Sequence, residues 1–308
     1  MRYLAEEEVR SLLTWEALIP AIERALVDLS AKKIQQPVRT ILRVPEREAA
    51  EPESETRGFF ALMPAIDEEL MGVKLVTFYE RNTTVPTHQA MIQLFSARTG
   101  EPLMGMDGRL ITEMRTAVVS AIATRLFAPK DARTLAILGS GVQARSHLEA
   151  LRRVHNFSQV RVWSRTPANA QRLASAFGLT AMPTPEAAVR GADVVVAVSS
   201  VREPLIHGEW LNSDTFVCAV AVVTPDRREL DDTAMQGAIV VESREAALRE
   251  SGDILGSGRP VYAELGEILA DTKPFPEGRV VFKSLGVAAC DLAAAGLVWR
   301  LSQNRASS

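Results

Sequence analysis

The sequence has 308 residues, 47% of them hydrophobic, and a formal net charge of -3 at pH 7. That is enough apolar material for two domains with their own cores, and the slight acidic balance excludes a basic nucleic-acid surface by composition. The four His are scattered without metal-ligand spacing, so no metal site is expected. The two cysteines, Cys218 and Cys290, each stand in apolar surroundings and predict buried thiols in a reducing compartment.

The segment Met1–Glu8 is acidic and lacks the apolar core of a secretory leader. No apolar run reaches membrane-spanning length, and a cytoplasmic protein is expected. Residues 6–29 predict two helices: Leu18, Ile22, Ala25, Leu26 and Leu29 recur at helical spacing behind Thr14, a good N-cap. The period then changes. Strands are expected over 37–44, 58–64, 72–79, 90–96 and 103–106, separated by Pro45, Pro64, Gly100 and Pro102. Glu46–Arg57 is the one charge run and reads as a solvated loop. This first part is α+β.

Three cations stand in apolar stretches of this part. Lys74 shares a strand face with Val76 and Phe78, a costly place unless the ammonium is paired or faces a site. The bland alternative is an edge-strand lysine reaching water. Arg39 lies in Gln36-Pro37-Val38-Arg39-Thr40. A long helix is expected from about Thr112 to Phe127. With Thr112 as its cap, Arg115 falls in the first turn, where a cation opposes the helix dipole. Arg115 also shares the inward stripe of Ile111, Val118, Val119 and Ile122. Either it holds a ligand anion or it pairs with an internal acid such as Glu113.

From Ala132 apolar runs alternate with helical segments, which argues a parallel sheet. Thr134–Leu138 is an apolar strand. It leads into Gly139-Ser140-Gly141-Val142-Gln143-Ala144 and an amphipathic helix to Val154. This is the Gly-x-Gly-x-x-Ala turn of a dinucleotide site in its required setting of strand and helix. Its helix N-terminus suits a pyrophosphate. The next strand, Gln159–Trp163, ends in Ser164-Arg165-Thr166. An NAD site usually has an acid here for the ribose hydroxyls. An Arg with small hydroxyls suits a 2′-phosphate instead, so NADP(H) is expected. Further strands are expected at 193–199, 215–223, 239–242 and 280–284, followed by an Ala-rich helix over 287–301.

Taken together, these stretches resemble the ornithine cyclodeaminase/mu-crystallin family, and its mu-crystallin branch more closely. The resemblance runs through Gln36–Thr40, Lys74–Glu80, Val85–Ala90, Arg115–Ala117, Val119–Thr124, Ile137–Ala144, Arg165-Thr166, Arg228–Asp232, Glu245–Leu248, Ala263–Glu267 and Phe282–Gly286. It implies an α/β chain in which a Rossmann domain, residues 113–286, is inserted into a discontinuous α+β substrate-binding and dimerisation domain, residues 1–112 and 287–308. It also implies that Arg39, Lys74 and Arg115 hold a substrate carboxylate, with Lys74 and Arg115 as the catalytic pair, and that the protein is a homodimer. The expected cofactor contacts are Gly139, Ser140, Gly141, Val142, Gln143, Ser164, Arg165, Thr166, Ser199, Ser284 and Leu285. His88 is either a proton relay or a structural histidine.

One departure matters. Cyclodeaminases carry an Asp shortly before the Pro that precedes the Glu-Leu pair. Here that place is Val223, in Ala221-Val222-Val223-Thr224-Pro225-Asp226. Valine can neither take a proton nor polarise a water, and Asp226 has its own place in the pattern. The resemblance therefore implies an NADPH-dependent reductase of small cyclic imines bearing a carboxylate. The alternatives are an amino-acid dehydrogenase or cyclodeaminase, or an NADPH-bound protein that binds a small ligand such as thyroid hormone with little turnover.

Overall fold

The structure is a computed structural model and describes residues 2–45 and 56–306. The chain folds as two compact units. One comprises the residues up to Arg115 together with those from Val287 onward; the other is Thr116–Gly286.

The first unit opens with β1 (Arg2–Leu4), α1 (Glu6–Leu12) and α2 (Trp15–Ser30). The Thr14 hydroxyl accepts from the Ala17 amide at 3.3 Å, the expected N-cap. The apolar stripe of α2 is buried as its spacing requires. β2 (Thr40–Pro45), β3 (Thr56–Ile66), β4 (Leu70–Phe78), β5 (His88–Ser96) and β6 (Pro102–Asp107) complete a six-stranded sheet in the order β1-β6-β5-β4-β3-β2. β1 was not expected, since three residues carry little period. The strand expected from Pro37 begins only at Thr40, because proline has no amide for the ladder. The charged segment Glu46–Arg57 lies outside the described residues except for Thr56 and Arg57, which open β3.

α3 (Arg109–Phe127) starts three residues before the expected Thr112. The Asp107 carboxylate accepts the Arg109 amide at 2.9 Å. The Thr112 hydroxyl donates to the Gly108 carbonyl at 2.7 Å, as a mid-helix threonine does. Arg115 therefore sits in the second turn, beyond the first turn in which the helix dipole acts. The C-terminal helix, Ala288–Ala306, returns to the first unit. Its small residues let it lie close on β4: a Cβ built at Gly296 would stand 2.7 Å from Leu70. The Gln36 side chain accepts the Ala289 amide at 2.8 Å and fixes the helix start.

The second unit contains β7 (Thr134–Leu138), α4 (Val142–Val154), β8 (Gln159–Trp163), α5 (Pro167–Phe177), β9 (Thr180–Ala181), α6 (Pro185–Val189), β10 (Val194–Ala197) and β11 (Phe216–Ala219). β12 (Ala238–Val241), α7 (Arg244–Glu250), α8 (Gly252–Ser257), β13 (Val261–Glu264), α9 (Leu265–Leu269) and β14 (Val280–Lys283) follow. The eight strands run parallel in the order β13-β12-β14-β11-β10-β7-β8-β9. This is the doubly wound sheet of a Rossmann fold. Every residue of β10, β11 and β14 is buried, which explains their unbroken apolar runs. β9 and β13 escaped notice because both are short and lack a clear period. The observed strands stop earlier than the apolar runs do: Val198, Ser199, Val220–Val223 and Ser284 fall in the loops beyond them.

Candidate functional site

In the second unit the strand ends stand in one registered row. Leu138 pairs with Trp163 and with Ala197, Ala197 with Ala219, Ala219 with Lys283, and Lys283 with Val241. Ligands of open parallel sheets bind beyond such carboxyl ends. The row brings the expected cofactor residues to one edge: Gly139–Gln143 follow β7, Ser164–Thr166 follow β8, Ser199 follows β10, and Ser284-Leu285 follow β14. β11 sends Val220–Val223 to the same edge.

The glycine turn fits a dinucleotide. Gly139 has φ 138° and its amide donates to the Trp163 carbonyl at 2.8 Å. A Cβ there would lie 2.8 Å from the Val198 carbonyl oxygen, so only glycine closes this turn. Gly141 is the N-cap of α4, and a Cβ built on it meets nothing within 4 Å, leaving space above the helix start for a phosphate. Val142 is exposed in the first turn and Gln143 is half-buried. Ala144 is fully buried, as helix–strand packing requires. The Ser140 hydroxyl donates to the Ser164 hydroxyl at 2.8 Å and ties the glycine turn to the end of β8. Arg165 is exposed, and Thr166 is the N-cap of α5 but makes no side-chain capping bond. No acid stands at this strand end.

A buried polar group holds loops of this edge. Lys283 Nζ lies 2.5 Å from Glu229 Oε2 and 3.0 Å from Asp253 Oδ2, all three side chains being inaccessible to solvent. Both carboxylates hold Lys283 above its usual range, although burial alone would lower it. Glu229 also accepts the Ala221 and Val222 amides at 3.1 Å each, and Asp253 Oδ1 accepts the Glu229 and Leu230 amides at 2.8 and 3.0 Å. The loop carrying Val223 is thus fixed from below, and Val223 packs half-buried against the core. Asp226 is exposed. Behind α4, His147 Nδ1 lies 2.8 Å from the Gln143 carbonyl and Nε2 lies 2.9 Å from Ser120 Oγ, which in turn accepts from the Cys218 thiol at 3.3 Å. Burial pushes His147 down to about 4 and the Cys218 thiol up to about 12, so both are neutral packing groups. Both cysteines are buried and neither is in a disulfide.

The first unit holds the cations. β4 lies inside the sheet between β3 and β5, and Lys74 is 2% exposed, which overturns the edge-strand alternative. Its Nζ lies 2.7 Å from Asp291 Oδ2. Arg115 Nε donates to Asp291 Oδ1 at 2.9 Å. The internal acid is therefore Asp291 of the C-terminal helix and not Glu113, which has Glu6 and Arg109 in its surroundings. Burial drives Lys74 down to about 8; Asp291 opposes the shift, while Arg115 and Arg39 add to it. Burial alone would raise Asp291, but Arg115 and Lys74 outweigh it and hold the carboxyl below its usual range. Burial, then Lys74 and Arg115, lower His88 to about 4, so it is neutral at pH 7. Arg39 is half-buried just before β2 and lies close enough to depress Lys74.

One carboxylate serves two buried cations, and the Arg115 guanidinium is not saturated. Its Nη1 is buried and has no hydrogen-bond partner among the described residues. Asp291 is the member of this charged cluster that sequence reading missed. Its signal was available: a lone acid in Ala288-Ala289-Cys290-Asp291-Leu292-Ala293-Ala294 is as misplaced as the lysine in β4. Among the described residues no group of three or more His, Cys, Asp or Glu is placed to hold a metal, and no helix is long and apolar enough to cross a membrane.

The model of the ornithine cyclodeaminase/mu-crystallin family matches residues 2–305. The chain belongs to that family. It is 45% identical over 309 aligned positions to ketimine reductase mu-crystallin of Mus musculus, covering 96% of each chain. Among solved structures, that of Thermococcus litoralis Delta(1)-pyrroline-2-carboxylate reductase in complex with NADH and L-proline superposes with a TM-score of 0.90. It is 32% identical, covering 99% of this chain and 98% of that one. An archaeal alanine dehydrogenase dimer with bound NAD gives a TM-score of 0.89 at 29% identity, covering 99% and 97%. Two of these relatives are described with NADH or NAD; neither is described with NADP.

Proposed function

We propose that this chain is an NADPH-dependent reductase of small cyclic imines that carry a carboxylate. The observation that carries the reading is the buried Nη1 of Arg115, without a hydrogen-bond partner among the described residues, on the carboxylate that Lys74 shares. A desolvated guanidinium with an open donor is costly unless an anion completes it. A carboxylate fits, since guanidinium binds it through paired donors. Lys74 supplies the second charge, and Arg39 a third from the start of β2. Asp291 orients both buried cations and offsets one of their two charges when no ligand is held. Relatives named as ketimine and pyrroline-carboxylate reductases support the substrate class.

A bound nicotinamide cofactor supplies the hydride for such a reduction. The residues of the second unit fit one: the glycine turn, the open N-terminus of α4 and the registered strand ends. We assign Ser164, Arg165 and Thr166 to a 2′-phosphate, because the strand end offers hydroxyls and an exposed guanidinium and no acid. In the chemistry, the protein fixes the carboxylate and thereby the orientation of the imine carbon. The imine accepts one hydride at carbon and holds one proton at nitrogen, giving the cyclic amino acid. A substrate that arrives protonated needs no strong protein acid, which agrees with Val223 where the cyclodeaminases have Asp. His88, neutral and beside the cations, is not a charged donor at pH 7.

We also propose a homodimer through the six-stranded sheet. β2 is an edge strand whose Ile41 and Leu42 are 41% and 56% exposed, and an apolar edge needs cover. Light scattering that gives a monomer at micromolar concentration overturns this. The function is tested by following NADPH absorbance with pyrroline-, piperideine- and thiazoline-carboxylates beside 2-oxo acids plus amines. Reduction of the cyclic imines supports the reading; reduction of the oxo-acid mixtures alone makes the protein an amino-acid dehydrogenase.

A further inference from the structure

Glu242 follows the last residue of β12 and is fully buried. Its Oε1 accepts the Ser284 hydroxyl at 2.6 Å and the Gly286 amide at 3.2 Å; its Oε2 accepts the Leu285 amide at 2.9 Å. No ion pair with a cation is recorded for this carboxylate among the described residues. A buried charge held only by neutral donors is expensive, and each donor here comes from one three-residue loop. Gly286 has φ 73°, a left-handed conformation open to glycine, and its amide and that of Leu285 converge on one carboxylate. The loop follows β14, whose end is in register with Ala219 on one side and Val241 on the other. It therefore belongs to the row of loops assigned above to the cofactor, and Ser284 and Leu285 are among the expected contacts. Lys283, the last residue of β14, is occupied by Glu229 and Asp253. The end of β14 and the loop after it are thus held by separate carboxylates.

We propose that Glu242 is a positioning residue for the nicotinamide cofactor: it acts through Ser284, Leu285 and Gly286 and does not touch the cofactor itself. The inference rests on the assignment of this strand edge to a dinucleotide, and not on the imine. A glutamine at 242 offers one acceptor instead of two and turns an N–H₂ group toward backbone N–H donors. An aspartate keeps the charge but is one methylene short of the loop.

The test uses the full-length protein and needs no turnover. Dissociation constants for NADPH and for NADH are measured by fluorescence titration of wild type, Glu242→Gln and Glu242→Asp. Hydrogen exchange is followed in peptides covering residues 281–287, and urea midpoints establish that each variant is folded. We expect faster exchange in that loop in both variants, and affinity for the better cofactor weakened by about 10- to 100-fold, the scale of a displaced binding group. If exchange accelerates while the affinity stays within about twofold of wild type, a margin well below that scale, Glu242 is a structural clamp alone and the proposal falls. It falls equally if neither variant that folds changes the exchange. If wild type binds neither dinucleotide, the cofactor assignment itself fails and takes the proposal with it. Wild-type binding with unchanged variants sinks the proposal alone.

Discussion

Asp291→Asn removes the one carboxylate shared by Lys74 and Arg115. Those groups lie 2.7 and 2.9 Å from it, with side chains 2% and 6% exposed. Breaking a buried ion pair from one side costs about 3–5 kcal/mol because a charge is left uncompensated. Asparagine keeps the oxygen that accepts from Arg115 Nε, and Lys74 already sits at about 8 and sheds its proton readily. Both effects place the expected loss near the low end, about 3 kcal/mol, a large part of the roughly 5–15 kcal/mol of a typical domain. Urea unfolding followed by tryptophan fluorescence reads it, since Trp15 and Trp299 belong to the first unit and Trp163 and Trp210 to the second. The first unit should unfold at lower urea with an unchanged slope, and added L-proline should recover more stability in the variant than in wild type, because its carboxylate supplies the missing charge. In the same variant kcat/KM for a cyclic imino acid should fall by about 10- to 100-fold through misorientation of Arg115. A midpoint shift worth less than about 1 kcal/mol, together with unchanged kcat/KM, refutes the claim that Asp291 organises a carboxylate site.

Arg165→Ala should weaken NADPH by about one to two decades, the worth of a charge-assisted phosphate contact, and leave NADH unaffected; equal Michaelis constants for the two cofactors in wild type contradict the assignment. Ornithine with NAD(P) should yield no proline and ammonia, because Val223 offers no carboxylate; enzymatic rates of release would show that reasoning to be wrong. Lys74 must be charged to hold a carboxylate and its folded value is lowered to about 8. Hence kcat/KM should decline above pH 8 as the free enzyme loses this proton, and Lys74→Arg should move the limb to higher pH. A limb that stays in place in the arginine variant belongs to the imine instead. His147 lies near 4 in the folded chain against about 6.5 unfolded. Below pH 6.5 the unfolded chain takes up the proton and the folded chain does not, so stability falls between pH 6.5 and 4, by about 3 kcal/mol from this group. His147→Gln should flatten that part of the pH profile of the urea midpoint.

The second unit was legible because its signals are local. A strand, a glycine turn with a required left-handed φ and an amphipathic helix lie within twenty-one residues, Thr134–Val154. The cations of the first unit were legible as charges in apolar stretches. What held them was not, because Asp291 lies 176 residues from Arg115, and sequence spacing says nothing about a helix that returns from the far end of the chain. The same limit applies to Glu242 and to the Glu229–Lys283–Asp253 group, which appear as ordinary charged residues until the parallel register aligns their strands. The start of α3 was misplaced because Thr112 has the chemistry of a cap, while the carboxylate that accepts the first helical amide is Asp107, five residues earlier.

The central claim is that a buried cation cluster selects a substrate by its carboxylate. It is tested most directly by comparing NADPH-dependent reduction of 1-pyrroline-2-carboxylate with that of 1-pyrroline, by wild type and by Arg115→Ala. Wild type should favour the carboxylated imine by at least about one to two decades in kcat/KM, the value of a desolvated charge-assisted contact. Arg115→Ala should lose most of that preference while its affinity for NADPH is unchanged. If neither imine is reduced, yet NADPH and an aromatic carboxylate both bind tightly, the cluster serves ligand binding and the account of it as a reductase site is wrong.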